Sequence, residues 1–313
     1  MIAHSNSRQI EVDTYNQVHT TGFGAAGKVC SWLESTPACL NQYFLLRHRD
    51  ETWLGRKILT HDSRGYRISS ILAPHMIAGI YLGSQVDNCG VTFHYRAAHK
   101  AERLNIFRGA DPLATEIIFP YPLLDNAGNE YVSPSGEWDE NLTLINGLDA
   151  DELHLREHGF NLAEKFLVPG SVIYDPACST GTYLGSLSRY FPNCNFIGSD
   201  RSFAMTQRAA EKIPRVFVAD AGNAPIANGS IDLLILRFLN AEVMPRTIAG
   251  DLFIQLSNLV SPRGRIFMFG HTPLLLDVSS AAHAANLQIE SQIGVEPRSA
   301  GIFQFYQLGR GAT

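Results

Sequence analysis

From residue 170 onward, short apolar runs alternate with segments whose apolar residues recur every three to four positions. The runs Val172-Ile-Tyr-Asp175, Asn195-Phe-Ile-Gly-Ser-Asp200, Arg215-Val-Phe-Val-Ala-Asp220, Ser230-Ile-Asp-Leu-Leu-Ile-Leu-Arg237 and Arg265-Ile-Phe-Met-Phe269 read as buried strands. Helices are predicted from Thr182, over Met205 to Ile213, from Thr247 to Leu259 and from Leu275 to Ala285. Two further strands close the chain near Gln288–Ile293 and Gly301–Leu308. Strands alternating with helices through short turns predict an α/β fold with a doubly wound parallel sheet, its terminal hairpin supplying an antiparallel edge.

Upstream the pattern is less regular. Residues 1–21 are polar and are expected to be mobile, with Tyr15 and His19 as landmarks. Phe23 to about Leu59 reads as helix-rich, and so do residues 66–83, where Ile68, Ile71, Leu72, Ile77, Ile80 and Tyr81 follow a helical period. Val91, Phe93 and Tyr95 alternate with polar residues as in a half-buried strand. Ile117-Ile-Phe-Pro-Tyr, Asp125-Asn-Ala-Gly and Pro134-Ser-Gly punctuate the rest of a small β-rich insertion that ends near 146. Asp151 to Phe166 then suits an amphipathic helix with Leu153, Phe160, Leu162 and Phe166 inward. The expected organisation is an α+β N-terminal cap over 1–150 and a Rossmann-like domain over 151–313.

Composition narrows the partners. The net charge of −5 gives no basic field for nucleic acid or an anionic membrane. No apolar run reaches the ~18 residues of a membrane span, and no secretory leader is visible. Five scattered cysteines without a Cys-x-x-Cys point to reduced thiols in a cytoplasmic protein. His154 and His158 stand four apart on the predicted helix, but their polar neighbours favour a solvated face over a metal pair, and no metal site is expected. A small-molecule partner is expected, with no nucleic acid and no membrane. A homodimer paired through the cap stays open.

The candidate chemistry lies at the strand ends. Asp175 closes the first strand, and small residues follow at Ala177, Ser179 and Gly181, where a larger side chain would block a ligand's approach to the backbone. Asp175, Asp200 and Asp220 end three successive strands, which places them along one edge of a doubly wound sheet. Asp200 follows Gly181 by nineteen residues, a spacing that suits a carboxylate accepting from ribose hydroxyls. Asp220 could accept from the exocyclic amine of a base. With three acids and no Lys or Arg at the turn, the site suits a nucleoside better than a phosphate.

Asp-Pro-Ala-Cys-Ser-Thr-Gly after a hydrophobic strand, the acid at Asp200, Ala219-Asp220-Ala221 and Leu259-Val-Ser-Pro-Arg-Gly-Arg-Ile-Phe together resemble the class I S-adenosylmethionine-dependent methyltransferases over about 155–308. The resemblance implies a seven-stranded sheet with the last strand antiparallel, and S-adenosylmethionine as cofactor. It implies that Asp175 and the turn at Ala177, Cys178, Ser179 and Gly181 hold the methionine end, Asp200 the ribose, and Asp220 with Ala221 the adenine, while Arg237 and Phe238 flank the cofactor and Arg201 is a further cofactor-binding residue. Two departures matter. Ala177 and Ser179 replace glycines of the family's turn. The fourth strand lacks the Asn/Asp-Pro-Pro-aromatic run of enzymes that methylate nucleobase or glutamine amino groups, which argues for a small-molecule acceptor. Cys178 itself reads as a small filler rather than a nucleophile.

Methyl transfer needs in-line positioning and exclusion of water, and a base only for some acceptors. Asn240 and His271, after the fourth and fifth strands, are the candidate catalytic groups; a helix cap and a loop histidine are their structural alternatives. Tyr15 could cover the site and stabilise a sulfonium through its ring, and Tyr183 reads as core. A weaker resemblance, to bacterial azetidine-2-carboxylate synthases of the same fold, rests on the unusual aromatic-rich cap. In those, the cofactor's own amine displaces methylthioadenosine. The expected function is thus methyl transfer to a small molecule of secondary metabolism, with cyclisation of S-adenosylmethionine and non-catalytic binding as alternatives. A nicotinamide oxidoreductase is disfavoured by the acids on the first and third strands.

Overall fold

The structure, a computed structural model, describes residues 22–34, 42–57, 59–62, 65–88, 90–125, 127–133, 151–296 and 301–311, with backbone alone over 59–62 and 65–68. Tyr15 and the polar segment around it lie outside the described residues. The chain divides into two compact units. The first comprises residues up to 132 together with 272–275 and 292–304; the second comprises 133–271, 276–291 and the residues from 305 onward.

The first unit is built on an antiparallel sheet, which corrects the expectation of helices there. Its strands are β1 (Val29–Glu34), β2 (Tyr43–His48), β3 (Glu51–Arg56), β6 (Ile77–Asp87), β7 (Gly90–Ala97) and β8 (Thr115–Ile118), in the order β1-β7-β6-β3-β2-β8. A separate hairpin pairs β4 (Leu59–Asp62) with β5 (Gly65–Ile68). Two features misled the periodicity. β2 is apolar on both faces, so Tyr43, Phe44 and Leu46 are all buried and no alternation is left to read. β6 carries a register shift between Tyr81 and Gly83, and its pairing with β3 shifts at Leu54/Gly55; such irregularities displace a period of two towards one of three or four. The reading of Val91, Phe93 and Tyr95 as a strand holds in β7.

This sheet is strongly curled. Two strands separate β2 from β7, which in a flat sheet would set them roughly 14 Å apart. Yet the Tyr43 ring on β2 stacks on Phe93 of β7 with centroids 4.3 Å apart, and the Tyr43 hydroxyl donates to Glu34 of β1 at 3.0 Å. Helix α1 (Lys100–Arg108) begins with a capping box between His99 and Glu102. Leu72 and Ile302 exchange backbone hydrogen bonds of 2.7 and 3.0 Å, and Ile293 and Ile302 join this unit's core.

A seven-stranded sheet, as the family resemblance implies, lies mainly in the second unit, residues 292–296 and 301–304 of its last two strands being grouped with the first. Its strands are β9 (Val172–Asp175), β10 (Asn195–Asp200), β11 (Val216–Val218), β12 (Ile231–Leu236), β13 (Val260–Met268), β14 (Gln288–Glu296) and β15 (Gly301–Gly309), in the order β11-β10-β9-β12-β13-β15-β14. The pairs β11/β10, β10/β9, β9/β12 and β12/β13 are parallel; β15 runs antiparallel to β13. The helices are α2 (Leu153–Ala163), α3 (Thr182–Tyr190), α4 (Phe203–Ala210), α5 (Arg246–Ser257) and α6 (Val278–Ala284). The expected strands and helices are all present, with ends displaced by a few residues; the Ser261-Pro-Arg-Gly264 turn is absorbed into β13, and α6 starts at Val278 rather than Leu275.

Helix α2 packs in part as expected, Phe160 stacking on Tyr183 at 5.6 Å and Phe166, just past the helix, meeting Phe267 edge-on at 5.9 Å. Leu155, Arg156, Gly159 and Ala163 are its buried residues, whereas Leu153 is 54% exposed. His158 is not on a solvated face either: its ring meets Phe305 edge-on at 4.8 Å, and burial lowers its pKa to about 4.

Candidate functional site

β9 lies between β10 and β12, so the chain leaves its carboxyl end where the sheet order reverses, the usual place for a ligand crevice in an open parallel sheet. The turn there is held by side chains. The Asp175 carboxylate accepts from the Ala177 N–H at 3.0 Å. The Cys178 N–H donates to the Ser199 carbonyl at 2.9 Å, and the Ser179 N–H donates to the Asp200 carboxylate at 2.9 Å. Ser179 and Gly181 take left-handed backbone angles, φ 51° and 70°. Gly181 is required by packing: a Cβ there would lie 2.9 Å from Ala209 of α4. The sequence reading gave ligand approach as the reason for a glycine at this position; the neighbouring helix is the closer constraint.

A cavity of about 580 Å³ opens over this turn. Nine of the expected cofactor residues line it: Ala177, Cys178 and Ser179 from the turn, Asp200 and Arg201 after β10, Asp220 and Ala221 after β11, and Arg237 and Phe238 after β12. Asp175 and Gly181 are not among the lining residues. Met205, Val243, Met244 and Leu252 add apolar wall. The two oxygens of Asp200 accept from Ser179 and Ser202 N–H groups, each at 2.9 Å, and a carboxylate keeps further lone pairs for a ligand. Asp220 caps the short turn Ala221–Asn223, accepting from the Gly222 N–H at 3.0 Å, and is exposed.

Below the turn runs a buried ionic chain that periodicity gave no hint of. Arg237 donates through Nε to Asp175 at 3.4 Å and through Nη1 to Glu152 at 3.0 Å; Arg156 donates to the same Glu152 oxygen at 3.3 Å. Glu152 immediately precedes α2 and lines the cavity. The one sequence signal for it was the Glu152/Arg156 pair at helical spacing. Asp175 is fully buried, and burial raises its pKa while Arg237 opposes the rise. Burial alone would loosen the proton on Arg237; Asp175 and Glu152 outweigh that and keep the guanidinium charged. The expectation of no basic residue at the turn is corrected: besides Arg237, Lys212 donates to the Thr180 carbonyl at 2.7 Å.

Tyr183 is core, as read, and it also lines the cavity. Its ring stacks on Phe160 at 5.6 Å, meets Phe269 edge-on at 5.8 Å, and lies 5.5 Å from the Arg237 guanidinium. Cys178 is 1% exposed, and burial together with Asp175 and Asp200 pushes its thiol pKa far up, so it is no thiolate at neutral pH.

Asn240 and His271 are brought to the same side of the sheet but do not line the cavity. Asn240 is 5% exposed and fills the space over Gly270, where a Cβ would come within 2.8 Å of its amide. It caps no helix: α5 begins after Pro245.

Residues 173–264 match the methyltransferase domain family. Isonocardicin synthase of Nocardia uniformis subsp. tsuyamanensis is 30% identical over 244 residues, covering 77% of this chain and 80% of that protein. A match that long must take in much of the chain before residue 151. A tRNA (carboxymethyluridine(34)-5-O)-methyltransferase of Arabidopsis thaliana is 38% identical over 80 residues, 24% of this chain and 19% of that one. Among solved structures, a TehB-like S-adenosylmethionine-dependent methyltransferase from Corynebacterium glutamicum superposes with TM-score 0.41 and 14% identity, over 57% of this chain and all of that one. With its strand order, its strand-end acids and a relative matched over four-fifths of its length, the chain belongs to the class I S-adenosylmethionine-dependent methyltransferase family.

Proposed function

We propose that this protein transfers a carbon group from S-adenosylmethionine to a small molecule in secondary metabolism, with the methyl group as the carbon transferred. The observation that carries the reading is the cavity at the sheet's reversal point, lined by Asp200, Asp220, a small-residue turn and a buried, charged Arg237.

The residues fit the cofactor. The cavity volume lies within the ~300–1,000 Å³ usual for small-molecule sites. Asp200 keeps acceptor capacity for ribose hydroxyls, and Asp220 for an amine on a base. Met244 and Leu252 offer apolar walls to a flat ring. Arg237 places a positive group for a carboxylate, and Glu152 beside it a negative one for an ammonium. When bound, S-adenosylmethionine supplies a sulfonium whose three adjacent carbons are open to nucleophilic attack. The chain's own contribution is to hold the ligand by its polar ends, exclude water with the apolar wall, and fix the approach line of the attacking atom. Under this reading Asp175 acts on the turn and on Arg237 rather than on the ligand, and the roles of Asn240, His271 and Tyr15 stay proposals.

A second reading has its own support. The relative that matches over most of its length is called a synthase, not a methyltransferase, and its match reaches into the N-terminal half. That is compatible with non-methyl chemistry at the same sulfonium: attack at the aminocarboxypropyl carbon, by an acceptor or by the cofactor's own amine to close an azetidine-2-carboxylate ring, with methylthioadenosine leaving.

Incubation with S-adenosylmethionine, alone and with candidate acceptors, followed by mass spectrometry, separates the readings. S-adenosylhomocysteine appearing with an acceptor is the expected product of methyl transfer. Enzyme-dependent methylthioadenosine overturns methyl transfer in favour of the second reading. Binding without either product, across acceptors, leaves a non-catalytic binder and overturns both.

A further inference from the structure

Among the described residues outside the cofactor cavity, one group with unmet bonding capacity is a guanidinium buried in the N-terminal sheet. Arg56 closes β3 directly opposite Tyr43 of β2, so the two side chains leave the same face. The pairing of β1 with β7 sets Trp32 opposite Phe93 in the same way, with Glu34 two residues further along β1 on the same face as Trp32. The curl of the sheet brings these together: Tyr43 stacks on Phe93, bonds Glu34 through its hydroxyl, and has the Arg56 guanidinium 5.4 Å from its ring centre. Tyr121 meets Phe93 edge-on at 5.8 Å, and its hydroxyl, Ser84 and the Tyr81 hydroxyl form a chain of 2.8 Å hydrogen bonds.

Arg56 is 2% exposed. Its Nη1 donates to the Lys57 carbonyl at 3.3 Å. Among the described residues its Nε and Nη2 have no acceptor in bonding geometry and no carboxylate pairs with it directly, although the Tyr43 hydroxyl beside it interacts with both Arg56 and the buried Glu34. Buried N–H donors left without a bonded acceptor are costly and call for one. The two idle donors are not an arbitrary pair. Nε–H and Nη2–H project side by side from one edge of the planar group, the spacing that receives both oxygens of a carboxylate. The Trp32 indole N–H, on the same face, is also buried without an acceptor among the described residues.

We propose that the concave face of the N-terminal sheet binds a small carboxylate on a flat apolar body, with Arg56 taking the carboxylate through Nε and Nη2 and the aromatic side chains of that face packing on the body. This site goes beyond the cofactor cavity and does not depend on which carbon of S-adenosylmethionine is attacked. Near-complete burial restricts it to small molecules.

The test is calorimetric titration of the full chain with phenylacetate and with its neutral isostere phenylacetamide, alongside S-adenosylhomocysteine. The expected result is saturable phenylacetate binding at least tenfold tighter than that of the amide. Arg56→Met should abolish it while S-adenosylhomocysteine affinity stays unchanged. Arg56→Lys, which keeps the charge and loses the fork, should weaken it tenfold or more and decides the matter where the Met variant does not fold. The proposal is overturned if phenylacetate does not bind, binds no better than the amide, or binds both variants as it binds the parent. Intact S-adenosylhomocysteine binding in those cases leaves the cofactor reading standing, so the two fail separately.

Discussion

At the scale of single residues, Asp200 carries two jobs. It fixes the turn by accepting from Ser179 and Ser202, and it faces the cavity with lone pairs to spare. Asp200→Ala should therefore weaken S-adenosylhomocysteine by about 1.5–3 kcal/mol, the worth of hydrogen bonds to a charged group plus some loosening of the turn. Calorimetric titration reads this directly; unchanged affinity would remove Asp200 from the cofactor site. Its spacing from Gly181 made it legible in the sequence. Glu152 was not, because an acid at a helix start looks like any solvated acid until Arg237, 85 positions away, is seen to share it.

At the scale of elements, the junction of β9 with α3 depends on a glycine whose neighbour is a helix. Gly181 combines φ 70° with an approach to α4 that leaves no room for a Cβ. Gly181→Ala adds a strained backbone and a 2.9 Å clash with Ala209, so about 2 kcal/mol of stability should be lost. Because the clash is on the α4 side, denaturant unfolding should register more change than cofactor titration. A loss confined to binding, with stability unaltered, would place the constraint on the ligand side after all. The alternation of strand and helix patterns in this half was readable because each strand is a short apolar run bounded by turns. In the N-terminal half the register shifts of β6 and the two-sided burial of β2 hid the strands from any periodic rule.

At the scale of the molecule, binding and stability are linked. A ligand that binds the folded cavity and not the unfolded chain stabilises it by about 2.7 kcal/mol at a hundredfold excess over its dissociation constant. Saturating S-adenosylhomocysteine should thus raise the thermal transition in which the cavity is lost, as scanning calorimetry would record. Asp200→Ala protein should need proportionately more ligand for the same rise. No shift at any concentration would speak against the cofactor assignment. Among the described residues no helix is long and apolar enough to cross a membrane.

The sequence by itself determined the class of the C-terminal sheet, the order of its strands along the chain and the acids at their ends, because these depend on local runs, turns and spacings that each segment carries alone. It also supplied nine of the residues that line the cavity. Only the tertiary structure decided that residues 292–304 group with the N-terminal unit, that the N-terminal half is a curled sheet, and that Arg237 is shared between Asp175 and Glu152. It likewise decided that Arg56 is buried beside Tyr43. Each of these joins positions far apart in the chain, and the free energy of burial and charge pairing that holds them is a property of the packed pair, absent from either segment read alone.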